Sequence, residues 1–202
     1  MSMRSVYAYY ARLLRSNTRW IRIALFDFGF GIILGLAAKL FSLGSLLELV
    51  EGMLAELVKL SEQAVDLAVW ERVMLIWQNN IVALGIVIFL GFFGGYFSVL
   101  ALFGNGLLLG YFLAIALSDF ASLADLIISV LPHGIIEIPV IVAAAGFGIK
   151  LGWSWLLPQA RGRRKQVLNA TVLECAAFYG LGVILLLFAS IIEGWLVFGM
   201  VG

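Results

Sequence analysis

Between Ile81 and Leu117 the chain carries no charged residue. Such a run cannot be the surface of a soluble domain, and it is longer than the about 20 helical residues that cross about 30 Å of hydrocarbon. It must therefore contain a break, and Gly104-Asn105-Gly106 supplies turn chemistry near its middle. Composition agrees. Of 202 residues, 63% are hydrophobic and 12% charged, about half the charge of a soluble domain. The chain reads as an all-α, polytopic transmembrane helix bundle.

The same length criterion places spans near 21–41, 81–102, 104–118, 135–157 and 168–192, the third short enough to be tilted or partly re-entrant. Residues 1–20 form an interfacial N-terminal segment, and 21–202 form a single membrane domain. The first twenty residues hold Arg4, Arg12, Arg15 and Arg19 and lack an apolar core, so no cleavable signal peptide is expected and the first span inserts the chain.

Charge sets the expected orientation. The N-terminal arginines and the segment Arg161-Gly162-Arg163-Arg164-Lys165 belong in the cytoplasm. The segment from Ser42 to Asn80 carries Glu48, Glu51, Glu56, Glu62, Asp66 and Glu71 against Lys59 and Arg72, and reads as external. Five spans in the plasma membrane satisfy all three, with an even number between the two basic segments, the N-terminus cytoplasmic and the C-terminus external. The formal net charge of +1 implies no nucleic-acid partner.

Two segments outside the spans read as helical. Over about 46–77, Leu47, Val50, Met53, Leu54 and Leu57 recur at three- and four-residue spacings with acids between them, giving one greasy and one solvated face. Such a helix lies on the outer membrane surface, packs against a partner, or caps the bundle. The stretch from Tyr7 to Arg15 mixes aromatics with arginines and suits the cytoplasmic interface, against anionic headgroups.

Glycine recurs at the four-residue spacing that lets membrane helices approach closely: Gly31 with Gly35, Gly91 with Gly95, Gly106 with Gly110, and Gly148 with Gly152. These pairs serve internal packing or the seam of a homodimer. Cys175 is the only cysteine and sits in an apolar stretch, where it reads as a small buried hydrophobe.

The polar residues left within the spans fall into two layers. An outer layer comprises Asn79, Asn80, His133, Glu137 and Glu193; an inner one comprises Arg22, Asp27, Asn105, Lys150 and Glu174. The inner charges balance, and structural ion pairs such as Lys150 with Asp27 or Glu174 account for them. In the outer layer, Pro132 lacks a backbone donor and Gly134 loosens the chain, so Pro132-His133-Gly134 marks a helix start or break, and Pro139 disturbs the following turn. His133 and Glu137 lie four apart, which suits a hydrogen-bonded pair or a proton-linked site. One histidine and no external cysteine leave too few ligands for a zinc site, and no metal or cofactor is expected.

Asn79-Asn80-Ile81, Asn105-Gly106-Leu107-Leu108-Leu109-Gly110, the block from Leu131 to Pro139, Ala143-Ala144-Ala145-Gly146 with Gly152, and Ala189-Ser190-Ile191-Ile192-Glu193-Gly194 together resemble the stage II sporulation protein M family. The resemblance covers about residues 70–195, and Pro-His-Gly-x-x-Glu-x-Pro is its most specific element. It implies a five-span plasma-membrane protein. In endospore formers the family resemblance implies a scaffold that gathers peptidoglycan-cleaving partners during engulfment; relatives in non-sporulating organisms mean that this process does not transfer with the family.

Three functional readings follow. The first is a non-enzymatic multi-pass scaffold, partnering the lipid bilayer, a second copy or other membrane proteins through its acidic helix and outer polar layer. The second is an ion or small-solute transporter or channel with a polar site at His133 and Glu137. The third, an intramembrane hydrolase using those two residues as base and partner, lacks a nucleophile on the same side.

Overall fold

In a computed structural model of the chain, the backbone of residues 3–65, 67–118 and 131–201 and the side chains of 4–55, 59, 67–117 and 134–195 are described. They form helices α1 (Met3–Ser16), α2 (Thr18–Leu40), α3 (Gly44–Val65), α4 (Val69–Phe89), α5 (Tyr96–Ser118), α6 (Leu131–Trp153) and α7 (Arg164–Val201), with no strand among the described residues. Five stretches are long and apolar enough to cross a membrane: Thr18–Leu40, Val69–Phe92, Tyr96–Leu117, Gly134–Trp153 and Arg164–Trp195. The chain is an all-α helical bundle. In α6 the most apolar window is 61% buried, against 22–44% for the others, so α6 is the central helix and the rest surround it.

Glycine decides how the helices meet. Along one contact line Gly106 lies on the Phe28 carbonyl and Gly110 on that of Ile32; along the other, Gly31 lies on the Phe103 carbonyl and Gly35 on that of Leu107. Both lines advance together, so α2 and α5 run parallel, backbone against backbone. A Cβ on any of these four glycines would collide with main chain. The second set works the same way, with Gly91 against Gly148, and Gly152 against Gly91, Gly94 and Gly95. All four glycine pairs are thus used inside one chain, and none is left to form a seam between copies.

Against α7, helix α4 runs antiparallel: Val73 meets Gly194, Trp77 Nε1 donates to the Val183 carbonyl at 3.0 Å, and Tyr179 Oη donates to that of Ile81 at 3.3 Å. The core between α4, α6 and α7 is dry, with Leu84, Ile88, Ala144 and Phe147 fully buried and Phe147 stacked on Phe178 at 4.7 Å.

Three boundaries differ from the sequence reading. The break in the long apolar run falls at Leu90–Gly95, where a 3₁₀ turn (Leu90–Phe92) precedes Gly94 and Gly95 at φ +67° and +74°. Glycine takes that conformation without steric cost. Gly104-Asn105-Gly106 stays helical because its glycines are needed for contact, with Gly106 against α2 and Gly104 beneath the Met53 methyl. Consequently α5 is a full-length helix and not a short re-entrant one. The external helix predicted over 46–77 also ends early. Helix α3 stops at Val65, and α4 begins at Val69, where the Glu71 carboxylate accepts from the Ala68 backbone N–H at 3.1 Å. Asp66 lies outside the described residues.

The Leu47, Val50, Met53 and Leu54 side chains of α3 pack in one cluster with Leu34, Phe103, Leu107, Leu108 and Tyr111, so its apolar face is docked on α2 and α5. Glu48, Leu49 and Glu51 stay exposed.

Replacing Gly35 or Gly110 by valine should cost about 1–3 kcal/mol, typical of overpacking, and lower the melting temperature of the detergent-purified protein. Gly180→Ala, where nothing lies within 4 Å of the new Cβ, should melt like the parent. Equal melting of all three would refute the close crossing.

Candidate functional site

Extending α4 back to Val69 moves Asn79 and Asn80 from the outer edge of the bundle to the middle of a helix. Helix α5 likewise holds Asn105 well inside its length, so the structure joins residues that the sequence reading had put in two layers. Asn79, Asn80, Ala83 and Leu84 of α4, Asn105 of α5, Glu137, Val140 and Ile141 of α6, and Leu186 of α7 line one cavity of about 170 Å³. At about 30 Å³ per liquid water, it is roomy enough for several waters or one small solute.

The chemistry of this pocket is amide and carboxylate over an apolar floor. The Asn79 and Asn80 side chains make no hydrogen bond to other described residues. Asn105 commits its Nδ2 to the Ala101 carbonyl one turn back, at 2.8 Å, and keeps its Oδ1 available. Asn79 and Asn105 are exposed, whereas Asn80 and Glu137 are half-buried. The pocket ends on Leu84, Val140 and Leu186, and the next turns bring Val87, Ile88 and Ala144, all buried. Toward the α4–α5 turn the pocket therefore stops on packed hydrocarbon. Amides in an apolar bundle that lack a partner among the described residues are costly to keep in hydrocarbon.

The remaining outer-layer residues are placed as follows. Helix α6 begins at Leu131, so Pro132 sits in its first turn, where its missing N–H costs nothing, and Pro132-His133-Gly134 is a helix start as expected. The side chains of Pro132 and His133 lie outside the described residues, while Gly134 is buried. Pro139 lies within a continuous helix and is exposed. Glu193 does not line the pocket. It sits beside Gly194, which abuts Val73, about two turns of α4 away from Asn80.

The inner layer resolves into one pair and one isolated acid. Lys150 Nζ forms a salt bridge to Glu174 Oε2, and the same oxygen accepts from Asn17 Nδ2 at 2.9 Å. Asn17 is fully buried and also donates to the Leu13 carbonyl at 2.8 Å. The pairing of Lys150 with Asp27 does not form, and Asp27 Oδ2 has no hydrogen-bond partner among the described residues. Asn17 escaped the sequence reading altogether. Its one signal was the polar run Ser16-Asn17-Thr18 between two helical patterns, which marks a break but names no partner. Cys175 is fully buried, its Sγ 3.6 Å from the Phe147 carbonyl, as expected of a core hydrophobe.

With this arrangement in view, comparison with known proteins is decisive on descent. The stage II sporulation protein M family matches residues 23–197, which takes in all four helices around the pocket. The chain belongs to the stage II sporulation protein M family. A relative within reach is an uncharacterized protein of Methanocaldococcus jannaschii, 31% identical over 129 residues, covering 62% of this chain and 56% of the relative. The chain thus spans little more than half of that relative's length. No solved structure matches the chain. The matched region therefore runs from within α2 to within α7, and all of α1 precedes it.

Removing one partner of the Lys150 and Glu174 pair leaves a charge with little solvent. Lys150→Met alone should destabilise by about 3 kcal/mol, the lower end for breaking a buried pair, because Glu174 keeps 30% exposure. The double variant Lys150→Met with Glu174→Met should recover most of that loss in thermal unfolding. Additive losses would show that the two side chains do not act as a pair.

Proposed function

We propose that the protein is a non-enzymatic multi-pass plasma-membrane protein whose bundle binds a small polar solute or ion at the Asn79, Asn80, Asn105 and Glu137 pocket and gives it passage. The observation that carries this reading is the pocket itself: polar residues from three helices line one cavity between apolar helices, and the Asn79 and Asn80 side chains there make no hydrogen bond to other described residues. The packed layer from Leu84 to Phe147 below it supports a carrier that opens alternately, not a standing channel. Five crossings with the basic N-terminus inside and the C-terminus outside fit the parallel run of α2 with α5 and the antiparallel run of α4 with α7. They also place the exposed Arg161, Arg163, Arg164 and Lys165 in the cytoplasm.

In a Cys175→Ser background, Asn105→Cys should react with a membrane-impermeant thiosulfonate added from outside. Reconstituted vesicles should pass at least one of urea, glycerol, Na⁺ or K⁺, and Glu137→Gln with Asn80→Leu should abolish that flux. A pocket closed to the reagent from both sides, together with unchanged flux in the double variant, would sink the reading.

A scaffold role is favoured by a separate observation. Helix α3 has its apolar face docked on α2 and α5 while Glu48 and Glu51 remain exposed, an acidic strip suited to a basic partner. Glu48→Lys with Glu51→Lys should then lose co-purifying membrane proteins while retaining the parent melting temperature. Retention of the same partners would exclude this strip as the docking surface.

A further inference from the structure

Helix α1 is separated from the bundle's spanning helices by the break at Asn17, and its residues divide cleanly by face. Tyr10, Leu13 and Leu14 turn toward the core: Leu13 is 6% exposed, Tyr10 and Leu14 pack beside it, and Tyr10 Oη donates to the Ala177 carbonyl of α7 at 3.4 Å. Arg4, Arg12 and Arg15 lie exposed on the opposite face. At 100° per residue, Val6 and Tyr7 continue the apolar side toward the N-terminus. Nothing in the chain covers them, since Val6 is 39% and Tyr7 78% exposed. The docked half thus anchors the helix, and the free half presents an apolar edge bordered by guanidinium groups.

The surroundings name the occupant. Asn17 ties this end of α1 to Glu174, close to the end of α6, where Trp153 is exposed and its Nε1 donates to the Gly94 carbonyl at 2.7 Å. Phe92, Phe93, Tyr96 and Phe97 are exposed around that same turn, an aromatic belt of the kind found at headgroup depth. The free half of α1 therefore leaves the bundle at the level of the lipid headgroups, greasy edge toward the acyl chains and arginines toward the phosphates. Arg19 adds a further exposed cation, its guanidinium 5.6 Å from the Trp20 ring centre. No acidic residue occurs before Asp27 to neutralise this face.

We propose that α1 is a headgroup-reading arm, which seats its first two turns in the bilayer interface by binding the phosphates of anionic phospholipids through Arg4, Arg12 and Arg15. The site stands apart from the pocket and does not depend on what the pocket carries. Because Asn17 bonds both the last turn of α1 and the Lys150 partner Glu174, a seated arm also steadies the end of the bundle where α6 and α7 meet.

The test uses the full chain carrying Tyr7→Cys in a Cys175→Ser background, labelled with an environment-sensitive fluorophore. It is reconstituted into vesicles of phosphatidylcholine alone or with 30% phosphatidylglycerol. Each arginine near an anionic surface contributes about fivefold in partitioning. The probe should report a buried environment with phosphatidylglycerol and an aqueous one without it, and 0.5 M NaCl should reverse most of the difference. Arg4→Gln with Arg12→Gln and Arg15→Gln should remove the preference, while Arg161→Gln with Arg163→Gln keeps it. The same fluorescence in both vesicles, or a preference that survives loss of the three arginines, would overturn the proposal; parent-like size-exclusion profiles of the variants establish that they are folded.

Discussion

The contact of α2 with α5 through bare backbone is the constraint on which the rest of the bundle depends. Gly31 and Gly35 face Gly106 and Gly110, and each places its Cα where any side chain would strike a carbonyl. In a bilayer no hydrophobic force pushes helices together, so association rests on van der Waals fit and on small residues that allow it. That fit sets the spacing of α2 and α5, and two consequences follow. A flank is formed on which α3 lays Val50 and Met53, and Asn105, exposed, lines the pocket with residues of α4 and α6.

A second glycine set fixes α6 at the centre. Gly148 and Gly152 rest on the turn at Gly91–Gly95, and Ser98 Oγ, fully buried beside them, donates to the Val87 carbonyl at 2.7 Å. Just above this layer the packing is purely apolar, and above that it opens into the polar pocket. The order of layers matters for function. Between the pocket and the basic end lie Leu84, Val140 and the stacked Phe147 and Phe178, so the proposed passage would require helices to shift against one another.

The half-buried charges of Lys150 and Glu174 tie helices together. Glu174 Oε2 accepts from both Lys150 Nζ and Asn17 Nδ2, linking α6, α7 and the α1–α2 break into one knot. A buried pair of this kind adds little net stability over hydrophobic residues, but it specifies register, because any slip would leave a charge alone in hydrocarbon. Ser154 and Thr171, with hydroxyls 3.1 Å apart, extend the same knot one turn farther along α7.

The sequence by itself determined the class, the number of apolar spans, the sign of charge at each end, the glycine spacings and the presence of Asn79, Asn80 and Glu137 among apolar residues. Each of these is a local property of composition or of helical period, readable without knowing any neighbour. It could not decide where the long apolar run turns. Gly94-Gly95 and Gly104-Asn105-Gly106 both permit a turn, and the choice is made by contact, since Gly104 and Gly106 are consumed by Met53 and α2 while Gly94 and Gly95 take positive φ. That one choice shifted Asn105 from a turn into a helix and put Asn79 and Asn80 at its level, which created the pocket. Ion-pair partners were undetermined for the same reason: Asp27 and Glu174 are equivalent as carboxylates, and only the crossing of α6 with α7 brings one of them, with Asn17, to Lys150. Tertiary structure decided these points because they depend on which surfaces meet, and in a bundle assembled by glycine contacts that is settled by the fit of whole helices.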